Sequence, residues 1–313
     1  MKAILYEQYG PPEVLRLKEV DQPIPGPKEI LIKIRASAVT MGDCEMRSPE
    51  IPNLTWFMVR LFFGLRKPRR KILGSYFAGE VEAIGPSVTS YNKGDRLFGI
   101  SQRFGAHAAY LCLPETSTLT ALPSNMTFEE AAPVALGLDS LHFLKKAKIK
   151  KGDEVLINGA GGGIGTYAVQ LAAYYGARVT AVDSGDKLAM LRDIGAREVI
   201  DYRAGDFSNN GPTYDIVFDV VGALSPRRGC RLLKDRGRYI SAIPLLSRVL
   251  PHLWISLTGN KKMMTGLTTP RTEALEYISK LIMAGQLKTV VDRCYALEQM
   301  AEAHRYIEQG LKK

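Results

Sequence analysis

The sequence predicts an α/β chain made of a β-rich first module and a doubly wound parallel sheet. Three observations carry that reading. Up to about Leu122 the chain runs in short β-like segments punctuated by Gly and Pro, among them "EILIKIRASAV", "FAGEVEAIG" and "AAYLCLP". From Glu154 onward strand-like and helix-like segments alternate, and the strands are Val- and Ile-rich without polar alternation, as in a parallel sheet covered on both faces. Between the first of these strands and its helix stands "LINGAGGGIGTYAVQLA", with five glycines in the seven positions 159 to 165.

Taken in order, the β-like runs of the first module end where "LPSNMTFEEAAPVALGLDSLHFLKKAKIKKGD" changes the texture. Ser124 or Thr127 can cap a helix there, and Glu129 and Glu130 fall in its first turn, where carboxylates suit the dipole. A boundary at Leu122 therefore gives a first domain over residues 1–122 and a second over 123–268. The second contains "EVLIN", "GTYAVQLAAYYG", "RVTAVD", "DKLAMLRDIG", "EVIDY", "YDIVFDVVG", "RRGCRLLKDRG" and "RYISAIP". Residues 269–313 read as two amphipathic helices around a short strand, expected to return to the first module.

A chain of 313 residues with 46% apolar content is large enough for two cores. Cys44, Cys112, Cys230 and Cys294 are far apart, which suggests neither a disulfide framework nor a zinc ribbon and fits a reducing cytoplasm. The first residues lack a signal-peptide core, and no run reaches the ~20 apolar residues of a membrane span. The formal charge of +10 is partly gathered in "LRKPRRK" and "PRRGCRLLKDRGR". Charge runs of this kind usually form solvated faces, and without aromatic interleaving nucleic acid is not expected as a partner.

The glycine loop follows a strand and opens a helix, the setting in which a pyrophosphate reaches bare main-chain N–H groups at a positive helix end. Residues 160 to 165 read AxGxxG, so Gly159, Ala160, Gly162, Gly163, Ile164 and Gly165 are the candidate cofactor loop. The next strand ends in Asp183, where a carboxylate suits the ribose hydroxyls of NAD.

With these residues in view, "VLINGAGGGIGTYAVQLAAYYGARVTAVDSGDKLAMLRDIGAREVIDY" resembles the cofactor domain of the zinc-independent quinone oxidoreductases of the medium-chain dehydrogenase/reductase superfamily. "MKAILYEQYGPPEVL", "GDRLFGI", "LPSNMTFEEAA" and "YALEQMAEAHRYIEQG" extend the likeness over nearly the whole chain. The resemblance implies a GroES-like β-rich catalytic domain plus a Rossmann domain, with the active site in the cleft. It also implies hydride transfer from NADPH or NADH to a quinone or α,β-unsaturated carbonyl, and a homodimer. One further strand is usual after the last helix, and this sequence stops at Lys313 without it.

Zinc-dependent relatives hold their metal through Cys and His, and the matching positions here are Thr40 and Ser75, so no zinc is expected. The histidines His107, His142, His252 and His304 show no metal-like spacing with Cys44. Lys187 and Tyr202 match positions that contact the 2′-phosphate of NADPH in the family, and Ser184 adds a hydroxyl. Against the carboxylate of Asp183 this favours NADPH and leaves NADH open. Val221, Gly222, Ser241 and Ile243 are expected beside the nicotinamide and ribose. Thr40 and Tyr76 are expected near the nicotinamide face, with Asp43 either on the ligand or holding its loop. Asp139 stands where the family has Thr, a departure without a sequence-level reason. Two rival readings remain: a non-catalytic cofactor-binding protein acting through its basic surface on RNA or membranes, and an alcohol dehydrogenase. The insertion Ile51 to Gly74 joins an apolar run to five cations; it can line the substrate cleft, pack, or lie on an anionic membrane, although stable membrane binding is not expected of one short stretch.

Overall fold

The computed structural model describes residues 1–50, 54–209, 211–243 and 260–312. Ile51 to Asn53, at the start of the insertion, and His252 lie outside the described residues. The chain divides into two compact units: Met1–Ala135 with Pro270–Met283 and Thr289–Lys312, and Leu136–Thr269 with Ala284–Lys288.

The first unit opens with an antiparallel pair, β1 (Lys2–Leu5) and β2 (Arg16–Glu19). It continues with β3 (Glu29–Ala38), α1 (Met41–Arg47), α2 (Leu54–Phe63), β4 (Tyr76–Ile84), β5 (Arg96–Ile100), β6 (Tyr110–Pro114), β7 (Leu119–Ala121) and α3 (Phe128–Ala131). The five longer-range strands form an antiparallel sheet in the order β6-β3-β4-β5-β7. Its core is Ile30, Ile32, Phe77, Val81, Leu97 and Leu119, supplied by alternate positions along each strand.

The second unit contains α4 (Gly137–Lys146), β8 (Glu154–Asn158), α5 (Gly163–Tyr174), β9 (Arg178–Asp183), α6 (Leu188–Asp193), β10 (Glu198–Asp201), β11 (Tyr214–Asp219), α7 (Pro226–Arg231), β12 (Leu233–Ser241) and β13 (Lys262–Thr265). All its strand pairs are parallel, in the order β10-β9-β8-β11-β12-β13. The order reverses at β8, so the loops after β8 and β11 flank a topological switch point. Register aligns Asn158 with Asp219 and with Val182, and Asp219 with Ser241, bringing the carboxyl ends of four strands into one row.

Two helices then close the chain, α8 (Thr272–Met283) and α9 (Met300–Glu308), both in the first unit. The division differs from the sequence reading at two places. Residues 123–135 join the first unit rather than the second, because α3 packs on β3 and β4. Residues 284–288 leave the tail for the second unit, where Gln170 holds Lys288 through both main-chain groups: its Nε2 donates to the carbonyl at 3.0 Å and its Oε1 accepts the N–H at 2.8 Å.

Candidate cofactor and substrate sites

β8 is apolar on both faces, and its buried end feeds the glycine loop into α5. The N–H groups of Gly159 and Ala160 donate to the Val182 carbonyl at 3.0 and 3.1 Å, which ties the loop to the neighbouring strand. Gly162 caps α5 in an extended conformation, and the first intrahelical bond runs from Thr166 N–H back to it. By helix geometry the N–H groups of Gly163, Ile164 and Gly165 have no carbonyl of their own to meet. They are therefore the donors this unit can offer to a diphosphate. Packing also requires glycine at Gly165, where a Cβ would come 2.2 Å from the Gly159 carbonyl oxygen. Gly159 is constrained in the same way, with φ +82° and a Cβ position 2.5 Å from Val221. From the opposite side Ser140 Oγ of α4 donates to the Ile164 carbonyl at 2.7 Å, fixing the helix end.

Asp183, at the end of β9, is buried and heavily used. Its Oδ2 accepts the Gly161 N–H at 2.7 Å, and its Oδ1 accepts the Ser184 N–H at 2.9 Å. Lys187 Nζ stands 3.0 Å from the same Oδ1, and the Ser184 hydroxyl also turns toward it at 3.4 Å. The lysine stem lies against Gly161. Tyr202 follows β10 and is half-exposed, with the Arg203 guanidinium 5.7 Å from its ring centroid, a second cation at this end of the sheet. No local pattern in the sequence marks Arg203.

Asp219, wholly buried at the end of β11, was also missed. It accepts Asn158 Nδ2 at 2.9 Å, Leu224 N–H at 2.9 Å, Ala223 N–H at 3.3 Å and the Tyr239 hydroxyl at 2.8 Å. These bonds fix the loop carrying Val221 and Gly222. Ile243 packs at the position a Gly222 Cβ would approach, and Ser241 Oγ donates to the Ile243 carbonyl at 3.1 Å. The signal available in the sequence was one acid closing the otherwise apolar run "IVFD". Asp139 sits in the first turn of α4, where burial raises its pKa.

In the first unit Ala38 pairs with Tyr76, so Thr40 and Tyr76 lie at the same end of β3 and β4. Thr40 and Asp43 form a reciprocal cap on α1. Asp43 Oδ2 accepts the Thr40 N–H at 2.9 Å and the Thr40 hydroxyl at 2.7 Å, while its Oδ1 accepts the Gly74 N–H at 3.0 Å. The Thr40 hydroxyl hydrogen that the sequence offered to a substrate is thus directed to Asp43, and both oxygens of Asp43 are occupied by protein. A cavity of about 320 Å³ in this unit, lined in part by Ser37, Val39, Glu129, Tyr295 and Tyr306, contains none of the sequence-predicted residues.

Cys44 is fully buried, and its Sγ lies 3.4 Å from His304 Nδ1, a neighbour that sequence spacing had not suggested. Burial pushes the thiol up to about 12. Arg47 Nε donates to the same His304 nitrogen at 3.4 Å. Among the described residues no group of three or more His, Cys, Asp or Glu can hold a metal ion. Zinc does not fit at Thr40 and Ser75 either, since neither hydroxyl is a zinc donor and that of Thr40 is committed to Asp43.

Comparison with known proteins bears on these two units. Residues 26–124 match the alcohol dehydrogenase GroES-like domain, and residues 194–313 match a family described as zinc-binding dehydrogenase. A chloroplastic quinone oxidoreductase of Triphysaria versicolor is 31% identical over 97% of this chain and 93% of its own. The chain belongs to the quinone oxidoreductase branch of the medium-chain dehydrogenase/reductase superfamily. An NADPH-dependent alkenal/one oxidoreductase of Arabidopsis thaliana is 28% identical over 98% of this chain and 76% of its own. The Escherichia coli quinone oxidoreductase solved with NADPH superposes with a TM-score of 0.81 at 25% identity, covering 99% of this chain and 97% of that one. The branch is one of oxidoreductases, and the GroES-like and parallel-sheet units are its two parts. Among the described residues no helix is long and apolar enough to cross a membrane.

Proposed function

We propose that this oxidoreductase transfers hydride from NADPH, less readily from NADH, to a small apolar quinone or α,β-unsaturated carbonyl acceptor without zinc. Bound NADPH supplies the hydride from its nicotinamide ring. The Gly163, Ile164 and Gly165 N–H groups hold the diphosphate, and Ala160 with Gly162 shapes the turn beneath it. Lys187, assisted by Ser184 and Tyr202, receives the 2′-phosphate. Val221 and Gly222, on a loop that Asp219 keeps in place, border the ribose and nicotinamide together with Ser241 and Ile243. On the first unit Tyr76 supplies the hydroxyl for the acceptor oxygen as negative charge grows there. Thr40 and Asp43 are positioning residues that fix the chain entering α1. An acceptor that is already electrophilic needs no Lewis acid, which agrees with Thr40 and Ser75 at the family's zinc positions.

The observation that carries this reading is the Asp183–Lys187 pair beside a glycine loop opening α5 at the switch point. The test is steady-state oxidation of NADPH and NADH by a panel of quinones and enones, using chelator-treated protein. Turnover that survives metal removal and prefers NADPH agrees with the proposal. Folded protein that turns over no acceptor, or that turns over only after zinc is added, contradicts it.

A further inference from the structure

Helix α2 is built inside out. Its inner face, Trp56, Val59, Arg60 and Phe63, packs against a cluster that includes Tyr9, Met46, Leu73 and Phe104. Arg60, the one cation of the helix, is 1% exposed. Its guanidinium lies over the Tyr9 ring, 3.3 Å from the centroid, and donates to the Ser48 carbonyl. The outer face carries Phe57, Met58, Leu61 and Phe62, with Leu65 just beyond, all exposed and Phe62 as much as 73%. The spacing of the four helical residues, i, i+1, i+4 and i+5, makes one continuous stripe. A solvent-facing helix places its charge outside; here the charge is inside and large apolar side chains stand on both faces.

The turn after α2 sets cations beside this stripe. Gly64 reverses the chain at φ +117°, its carbonyl accepts the Tyr9 hydroxyl at 2.6 Å, and the Arg69 N–H returns to the Phe63 carbonyl at 2.8 Å. Arg69 Nη1 also donates to the Phe62 carbonyl at 3.3 Å. Arg66, Lys67, Arg69, Arg70 and Lys71 are all exposed, and among these Lys71 is shared with Glu7 at 3.9 Å. An apolar stripe without hydrogen-bonding side chains suits hydrocarbon, and a folded-back run of cations suits the phosphates above it. Together they supply the two signals that a peripheral membrane contact requires.

We propose that the outer face of α2 and the cationic turn 66–71 form a docking surface for an anionic lipid bilayer. The helix lies in the interface plane with Phe62, Leu61 and Phe57 entering the acyl boundary, and Arg66, Lys67, Arg69 and Arg70 meet the headgroups. Of the roles the sequence left open for the insertion, packing belongs to the inner face of α2 and membrane contact is the one proposed for its outer face.

The experiment is flotation of the full chain with vesicles of phosphatidylcholine alone and of phosphatidylcholine mixed with phosphatidylserine, at ~0.05 and ~0.5 M salt. Phe62→Ser with Leu61→Ser, and Arg69→Gln with Arg70→Gln, are compared with the parent, and thermal melting checks that each is folded. The expected result is binding to the anionic vesicles only, reduced about tenfold or more by either pair of substitutions and by high salt. No flotation with anionic vesicles at low salt overturns the proposal. So does flotation that is indifferent to the Phe62 and Leu61 substitutions, which would mean charge adhesion alone. Gel filtration showing a dimer that Phe62→Ser dissolves, without vesicle binding, assigns the face to a second copy. A raised acceptor KM in Phe62→Ser, again without vesicle binding, assigns it to the substrate; both outcomes reject the bilayer.

Discussion

Lys187 Nζ lies 3.0 Å from Asp183 Oδ1, inside a carboxylate shell that also holds the glycine loop through Gly161. The pairing changes what the acid at the end of β9 means. An unpaired carboxylate there would repel a 2′-phosphate, whereas a paired one is partly neutralised, which is what the proposed phosphate contact of Lys187 requires. Lys187→Ala therefore weakens NADPH binding by about tenfold or more and NADH binding by about twofold or less, since a charged hydrogen bond is worth ~1.5–3 kcal/mol. Asp183→Asn shifts the affinity ratio further toward NADPH. Titration by nicotinamide fluorescence reads both, and an unchanged ratio in both variants would reject the assignment.

The first-unit polar residues separate into a cap and a candidate hydroxyl. Thr40→Ala removes a helix cap and costs ~1 kcal/mol of stability. Asp43→Ala costs more, about 2–4 kcal/mol, because it strands buried donors of Thr40 and Gly74 together. Urea unfolding measures these losses, and turnover per folded molecule of Thr40→Ala stays within about threefold of the parent. Tyr76→Phe lowers kcat about tenfold. A hundredfold fall in kcat for Thr40→Ala would return the catalytic hydroxyl to Thr40.

The Asp219 cluster gives a different signature. Tyr239→Phe removes one bond to a buried carboxylate and costs about 1–3 kcal/mol. It loosens the 220–224 loop without touching the phosphate end, so NADPH and NADH lose affinity by the same factor. Parallel titrations that show a selective loss of NADPH would contradict this.

Acid should weaken the first unit through its buried imidazoles. Burial, with His107 and Arg47 adding to it, pushes His304 down from 6.5 to about 3, and burial lowers His107 as well. The unfolded chain takes up protons at these rings as pH falls through 6.5 while the folded chain does not. Stability is therefore fully present above that pH and declines below it, continuing toward pH 3 for His304. At pH 5 His304 alone accounts for about 2 kcal/mol. Urea midpoints at pH 7.5 and pH 5 test this: the parent loses stability, and His304→Gln loses less. Equal parent midpoints would contradict it.

The second unit was legible in the sequence because period and punctuation agree there. Strands such as "VLIN" are too apolar for anything but a covered parallel sheet, and the glycine loop marks where the order reverses. Long-range polar pairing was not legible. His304 reaches Cys44 from the far end of the chain, and Asp219 gathers donors from β8, β12 and its own loop, so neither has a local pattern. Thr40 carries a local pattern that allows two readings: its spacing to Asp43 is that of a capping box, which competes with any substrate role for the same hydroxyl. In the insertion, composition does not show which apolar residues pack and which face outward; the burial of Arg60 beside Trp56, Val59 and Phe63 decides that.

The central claim is that the Gly159–Gly165 loop holds a reduced nicotinamide dinucleotide through its main chain. Titrating folded protein with NADPH and NADH in parallel tests it most directly. Saturable enhancement of nicotinamide fluorescence is expected for both, tighter for NADPH. Absence of binding by either cofactor would mean that the glycines serve packing alone, and the oxidoreductase mechanism would fall with them.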